Sequence, residues 1–231
     1  MPRLRLLGVR LTLGTITAAL AWAALGLQVG LNLSSGVDPF GNPRTPWMSM
    51  VDLFGYFTIL TNLLVALVIT IPAVAPMSAA AGFFRDLRTT WTAAAAIVVV
   101  GIAYHVLLSA QYNPTGLAAW TDLAFHYLVP TLFAVYWVTT TDLGGARFLS
   151  QAGMLSVYPF AYFIYVIGRG EVLGTYPYFF VDVRTLGLLG AFRNAMAILA
   201  FYLFVAWVIA LVAGRVGARR GARRGAATRL G

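Results

Sequence analysis

Side chains able to move protons or attack carbon are scarce in this chain, and the informative ones fall inside apolar stretches. His105 and His126, its two histidines, lie in the apolar runs 91–111 and 122–138. An ionisable ring in hydrocarbon costs roughly 3 kcal/mol or more, so each is expected to face the protein interior and to mark a site. Thr58, Thr61 and Asn62 follow an i, i+3, i+4 spacing, which predicts one shared helix face, with Leu60, Leu63 and Leu64 turned elsewhere. Asp122 and His126 are four residues apart, a spacing that lets a carboxylate hold one imidazole nitrogen, fix the tautomer and leave the other nitrogen as a base. If the helix of Thr58 lies beside that of His126, the imidazole can take the hydroxyl proton as Thr58 attacks an acyl carbon. Asn62 or Thr61 would then donate to the oxyanion. The chain has no cysteine, so thiolate chemistry is excluded and any nucleophile is an oxygen.

Each of these residues also has a purely structural reading. Threonine hydroxyls in membrane helices bond back to the i−4 carbonyl, and Asn62 can join two helices. Asp122 is placed to cap the helix that begins there. His105 would bind substrate, relay a proton or bond across helices. The two histidines, on consecutive apolar runs, could also supply both axial ligands of a haem, but nothing else in the sequence calls for a cofactor or a metal.

The elements that must position these groups are membrane spans. Residues are 60% hydrophobic and 10% charged, against about 25% charged in a soluble globule. Runs near the roughly 20 residues needed to cross a core of about 30 Å occur at 9–31, 54–75, 91–111, 122–138, 154–168 and 188–213. They predict an all-α fold, a membrane bundle of six helices over 1–213. A cleaved signal peptide is the alternative for the first run, since Arg3, Arg5 and Arg10 precede it and Ala21-Trp22-Ala23 imitates a cleavage site. The apolar run continues past that site, which favours a span. The formal charge of +9 comes from arginine alone. Twelve arginines, including Arg85, Arg88, Arg147 and the tail cluster Arg215 to Arg229, fall on one side of the predicted bundle. Arg44, Arg169, Arg184 and Arg193 fall on the other. The positive-inside rule therefore places both termini in the cytoplasm.

Residues 214–231 read as a disordered arginine-rich tail facing anionic lipid; no nucleic-acid-binding module accompanies it. The prolines Pro39, Pro43 and Pro46 argue for an extended, turn-rich loop after the first span. Tyr176-Pro177-Tyr178-Phe179-Phe180 reads as an aromatic belt at headgroup level or as a cover for a pocket.

With this topology the polar groups share a depth. Thr58 lies about 6 Å below the outer end of its span and His105 about 9 Å below its own, while His126 lies about 6 Å below Asp122. Arg193 and Asn194 open the last span near the same surface, and Arg169 or Arg193 would hold an anionic group there. A single polar pocket in the outer leaflet is the economical explanation.

The segment Phe54-Gly-Tyr-Phe-Thr-Ile-Leu-Thr-Asn62 recurs in this order with Tyr104-His105, Asn113-Pro114-Thr115-Gly116, His126 followed by Pro130, Tyr158-Pro159 and Tyr176-Pro177-Tyr178. Over 54–190 the chain thereby resembles the bacterial Pr-six-Pr membrane family. That family is distantly similar to androgen-induced, six-span membrane hydrolases that cleave fatty acid esters of hydroxy fatty acids with an intramembrane threonine and histidine. The resemblance implies Thr58 as nucleophile and His126 as base, with a fatty-acid ester as substrate and the bacterial inner membrane as location. The alternative from another class is a lipid or small-solute binding or transport protein using the same pocket without covalent chemistry; no inverted repeat supports a transporter.

Overall fold

The computed structural model describes the backbone of residues 2–37 and 43–228 and the side chains of residues 8, 11–37 and 43–222. The described residues are helical apart from short connections and an isolated bridge between Val37 and Pro43. Nine α-helices follow in order: α1 (Pro2–Ser35), α2 (Pro46–Leu53), α3 (Phe57–Val74), α4 (Ala79–Arg85), α5 (Leu87–Ala103), α6 (Leu117–Leu123), α7 (Val129–Thr140), α8 (Phe148–Leu173) and α9 (Val183–Thr228). Six stretches are long and apolar enough to cross a membrane: Leu11–Ser35, Phe57–Val74, Leu87–Leu108, Leu117–Thr140, Phe148–Leu173 and Val183–Ala222.

Helix α5 is the centre of the bundle, packed against α3, α7, α8 and α9. Its run Ala93 to Ala96 is fully buried. Helices in lipid gain little from hydrophobic exclusion and rely on close van der Waals approach, which small side chains permit. Large side chains then fill the space around this thin helix. Trp91, Phe133, Trp137 and Tyr202 are all buried, and the Trp91 indole N–H donates to the carbonyl of Ala206 at 2.9 Å.

Two segments are π-helical, Tyr104–Leu108 after α5 and Ala124–Leu128 between α6 and α7. Single π turns inside α-helices recur at functional sites, and here each holds a histidine. The second has a local cause. Pro130 carries no N–H and its ring crowds the carbonyl four residues back, which is that of His126. Val129 N–H instead reaches the carbonyl of Ala124. The freed His126 carbonyl faces α5 at Gly101, where an added Cβ would lie only 2.9 Å from it. Glycine at 101 is what lets α5 come this close to the π turn.

Several boundaries differ from the sequence reading. The fourth span begins at Leu117, after Gly116 in a positive-φ conformation (58°), so Asp122 lies inside a helix and caps nothing. The prolines after the first span do not prevent a helix: Pro46 opens α2 at the first helical position, where a missing N–H costs nothing, and the Thr45 hydroxyl accepts from Met48 N–H. Pro39 lies outside the described residues. Helix α9 continues through the arginine-rich segment to Thr228, where disorder was expected. Alanine and arginine are strong helix formers. The side chains of Arg3, Arg5, Arg10, Arg223 and Arg224, and Arg229 altogether, lie outside the described residues.

Candidate functional site

A cavity of about 710 Å³ opens at one end of the bundle. Gln28 and Asn32 come to it from the end of α1, Asp52 from α2, Thr58 from the start of α3, Tyr104 from the π-helical segment after α5, and Asp122 and His126 from the fourth span. Arg169 comes from the end of α8, and Tyr178 from the loop beyond. An apolar cleft of about 100 Å³ lies between α5, α8 and α9, walled by Val99, Phe163, Val166, Ala195 and Leu199. Thr58, Tyr104, Leu108 and Tyr178 line both spaces. The threonine therefore stands where a polar chamber meets an apolar slot.

Thr58 Oγ1 lies 3.5 Å from His126 Nε2. On the far side of the ring, Nδ1 is 3.0 Å from the backbone carbonyl of Asp122 and 3.0 Å from its Oδ1. The angle favours the carbonyl for the hydrogen bond, which leaves Oδ1 at ion-pair distance without a hydrogen bond of its own. Both acceptors draw the ring proton to Nδ1, so the Nε2 lone pair faces the threonine hydroxyl. Tyr104 closes the arrangement from above. Its ring stacks on the imidazole with centroids 3.7 Å apart and planes 9° from parallel, and its hydroxyl donates to Asp122 Oδ2 at 2.7 Å. A single buried side chain thus touches both the base and the carboxylate that orients it.

No family model, curated protein or solved structure matches the chain. The site must be read from its own chemistry. A hydroxyl, an imidazole with one nitrogen towards it and a carboxylate behind the ring are the group types that acyl transfer uses as nucleophile, base and orienting group.

The remaining residues expected at the site divide. Arg169 does line the cavity, but both terminal nitrogens are engaged, with Asp52 Oδ1 at 2.6 Å and the carbonyl of Thr175 at 2.9 Å. Arg44 approaches the other oxygen of Asp52 at 3.4 Å. A carboxylate from α2 thus already occupies the fork expected to hold a ligand anion.

Thr61 and Asn62 are fully buried and line neither space. Thr61 Oγ1 is 3.1 Å from the Tyr158 hydroxyl of α8. Asn62 Nδ2 donates to the carbonyl of Thr58 at 2.9 Å and to that of Phe125 at 3.4 Å, binding α3 to the π turn that holds His126. Neither reaches an oxyanion over Thr58. The shared face splits because residues three and four positions after Thr58 lie about 60° and 40° to either side of it, and only the middle direction opens on the cavity.

His105 is exposed on the outer wall, its Nδ1 3.2 Å from the Tyr127 hydroxyl. It lines neither space, and with His126 Nε2 turned to Thr58 the two imidazoles do not face a common haem position. Arg193 is exposed and Asn194 Nδ2 donates to the carbonyl of Phe180, so both belong to the outer rim of α9.

Tyr178 was not singled out as a site residue by the sequence, although its segment carried a cover as one of two readings. The loop after α8 turns inward against the cavity, the covering arrangement and not the belt. Gly174 ends the helix in the left-handed conformation, and the Tyr176 ring fills space that a Cβ on Gly170 would occupy. Tyr178 is buried between Tyr56, centroids 5.7 Å apart and edge-on, and Phe180, stacked at 5.0 Å. Burial pushes its hydroxyl from the ordinary 10.0 up to about 12, so it remains protonated at neutral pH. The proline between two tyrosines was the available signal; its inward direction was not readable.

Proposed function

We propose that this protein is a membrane-embedded hydrolase of lipid esters, with Thr58 as nucleophile, His126 as general base and Asp122 as the group that orients the ring. The observation that carries the reading is Thr58 Oγ1 at 3.5 Å from His126 Nε2, at the junction of the polar cavity and the apolar cleft. Catalytic hydrogen bonds are commonly long in unliganded sites and tighten around substrate. An acyl chain lies in the cleft between α5, α8 and α9, the ester carbonyl rests over Thr58, and the alcohol portion fills the polar cavity.

The chemistry balances in two steps. Thr58 Oγ1 forms a bond to the carbonyl carbon as its proton passes to Nε2, and the carbonyl π pair moves to oxygen. As that pair returns, the bond to the alkoxy oxygen breaks, and the imidazolium gives its proton to the departing alkoxide, releasing an alcohol and leaving an acyl ester on Thr58. Water then attacks, its proton going to Nε2. The second collapse breaks the acyl–Thr58 bond, restores the threonine hydroxyl with the proton held on Nε2, and releases the fatty acid.

The resemblance of 54–190 to the Pr-six-Pr family and, through it, to the androgen-induced threonine hydrolases supports the same pair. The arginine asymmetry supports both termini cytoplasmic and the cavity on the opposite side, and the family resemblance supports a bacterial inner membrane. The test is turnover of a panel of long-chain esters by purified protein. Hydrolysis abolished in both Thr58→Ala and His126→Ala is expected. Ester that binds and is released intact by the wild type would instead support the lipid-binding reading.

A further inference from the structure

The nucleophile needs donors for the oxyanion, and neither Asn62 nor Thr61 can supply them. We infer that the Tyr178 hydroxyl and the backbone N–H of Thr58 itself form the oxyanion site, an assignment that rests on the hydrolase reading for its chemical role.

Helix α3 leaves its first turn open. Its N-cap, Tyr56, is extended (φ −83°, ψ 127°) and gives no side-chain cap. Ile59 and Leu60 N–H both turn to the Tyr56 carbonyl, at 3.1 and 3.2 Å, whereas the Thr58 N–H meets, among the described residues, only the Tyr178 hydroxyl oxygen, at 3.5 Å. That contact is too long to satisfy a strong donor. The orphan N–H groups at a helix start also carry the positive end of its dipole, and this one belongs to the same residue as the attacking hydroxyl.

Tyr178 supplies the second, independent observation. Its hydroxyl accepts from the Thr58 N–H and also lies within reach of the Thr58 side-chain hydroxyl and the Phe57 N–H, so its contacts gather at the open start of α3 beside the nucleophile. The side chain is nine-tenths buried and lines both the polar cavity and the apolar cleft. The inward-folded loop holds it there, stacked on Phe180 and edge-on to Tyr56. Two donors 3.5 Å apart can converge on one oxygen at about 2.8 Å from each. During attack the carbonyl π pair moves onto that oxygen and both donors strengthen their bonds to it. No proton is transferred and no covalent bond to Tyr178 forms.

Turnover and carbonyl polarisation test this separately. In wild-type background, Tyr178→Phe should lower kcat by about 10²- to 10³-fold, the loss typical of removing one oxyanion donor, with KM nearly unchanged. In Thr58→Ala, which keeps the backbone N–H and cannot form an adduct, a long-chain methyl ketone with a ¹³C-labelled carbonyl should bind with a lowered C=O stretching frequency. Adding Tyr178→Phe should move that frequency back up. A ketone that does not bind, a stretch that ignores Tyr178→Phe, or turnover by Tyr178→Phe within about threefold of wild type would overturn the assignment. A wild type that hydrolyses nothing while the stretch responds to Tyr178→Phe would remove the hydrolase reading and leave a carbonyl-binding donor pair in place.

Discussion

Gly101 tests whether the distance between base and nucleophile is set by how closely two helices approach. A Cβ added there would lie 2.9 Å from the His126 carbonyl oxygen and 3.3 Å from Pro130 Cβ. Ordinary carbon-to-carbonyl-oxygen contacts fall near 3.3–3.6 Å, so Gly101→Ala forces the π turn back by about 0.4–0.7 Å. Retreat along that direction would carry His126 Nε2 from 3.5 Å to about 4 Å from Thr58 Oγ1, beyond hydrogen-bond reach. Misplacement by about 1 Å can cost 10²-fold, so about half of that should slow acylation of Thr58 roughly tenfold. Two terms oppose each other in stability. Alanine in a helix gains about 1 kcal/mol over glycine, while overpacking costs about 1–3 kcal/mol, leaving a net loss of about 0–2 kcal/mol. The assay is the rate of fluorophosphonate labelling in detergent, with thermal unfolding measured alongside. Unchanged labelling together with a raised unfolding temperature would show that the close approach at Gly101 does not position the base.

Other substitutions separate the parts of the site. Tyr104→Phe keeps the stack on His126 and removes the bond to Asp122 Oδ2; losing about 1.5 kcal/mol of orientation should lower kcat about tenfold with KM unmoved. Tyr104→Leu should lose more, because the stack on His126 goes as well; an unchanged kcat in Tyr104→Phe would refute the hydroxyl's positioning role. His105→Ala should leave turnover within about twofold of wild type, since the ring lies on the outer wall; a large loss would return it to the site. Asn62→Ala removes the link between α3 and the π turn and should cost about 1–2 kcal/mol, read as a lowered unfolding temperature. Tyr178 ionises at about 12 when folded and at 10.0 when free. Its contribution is present below pH 10 and lost as pH rises towards 12, so alkaline unfolding in that window should be blunted by Tyr178→Phe.

The spans were legible because a stretch of about 20 apolar residues has few other physical explanations. The pairing of Asp122 with His126 was legible too, because the side chains needed only helical spacing to meet. That spacing survives even though the intervening turn becomes π-helical. What failed was direction. Neighbouring residues on a helix point about 100° apart, so of Tyr104 and His105 only one can face the cavity. The cost of a charge in hydrocarbon favoured the histidine, yet the histidine lies at the span's end beside Tyr127 and the tyrosine turns inward. Thr61 and Asn62 straddle Thr58 and are claimed by Tyr158 and by the Phe125 carbonyl, partners more than 60 residues away in sequence. Tyr178 and Asp52 were not singled out for a related reason. One lies in a loop whose aromatics resemble an interfacial belt, the other in a short helix behind three prolines, and both acquire meaning only from α3 and α8.

The pairing of the Thr58 hydroxyl with the His126 imidazole is tested most directly by where an activated phosphorus reagent becomes attached. Purified protein labelled with a long-chain fluorophosphonate, digested and mapped by mass spectrometry should carry the adduct on Thr58. The adduct should persist in Thr58→Ser and vanish in His126→Ala. An adduct on any other residue, or undiminished labelling of Thr58 in His126→Ala, would contradict the account.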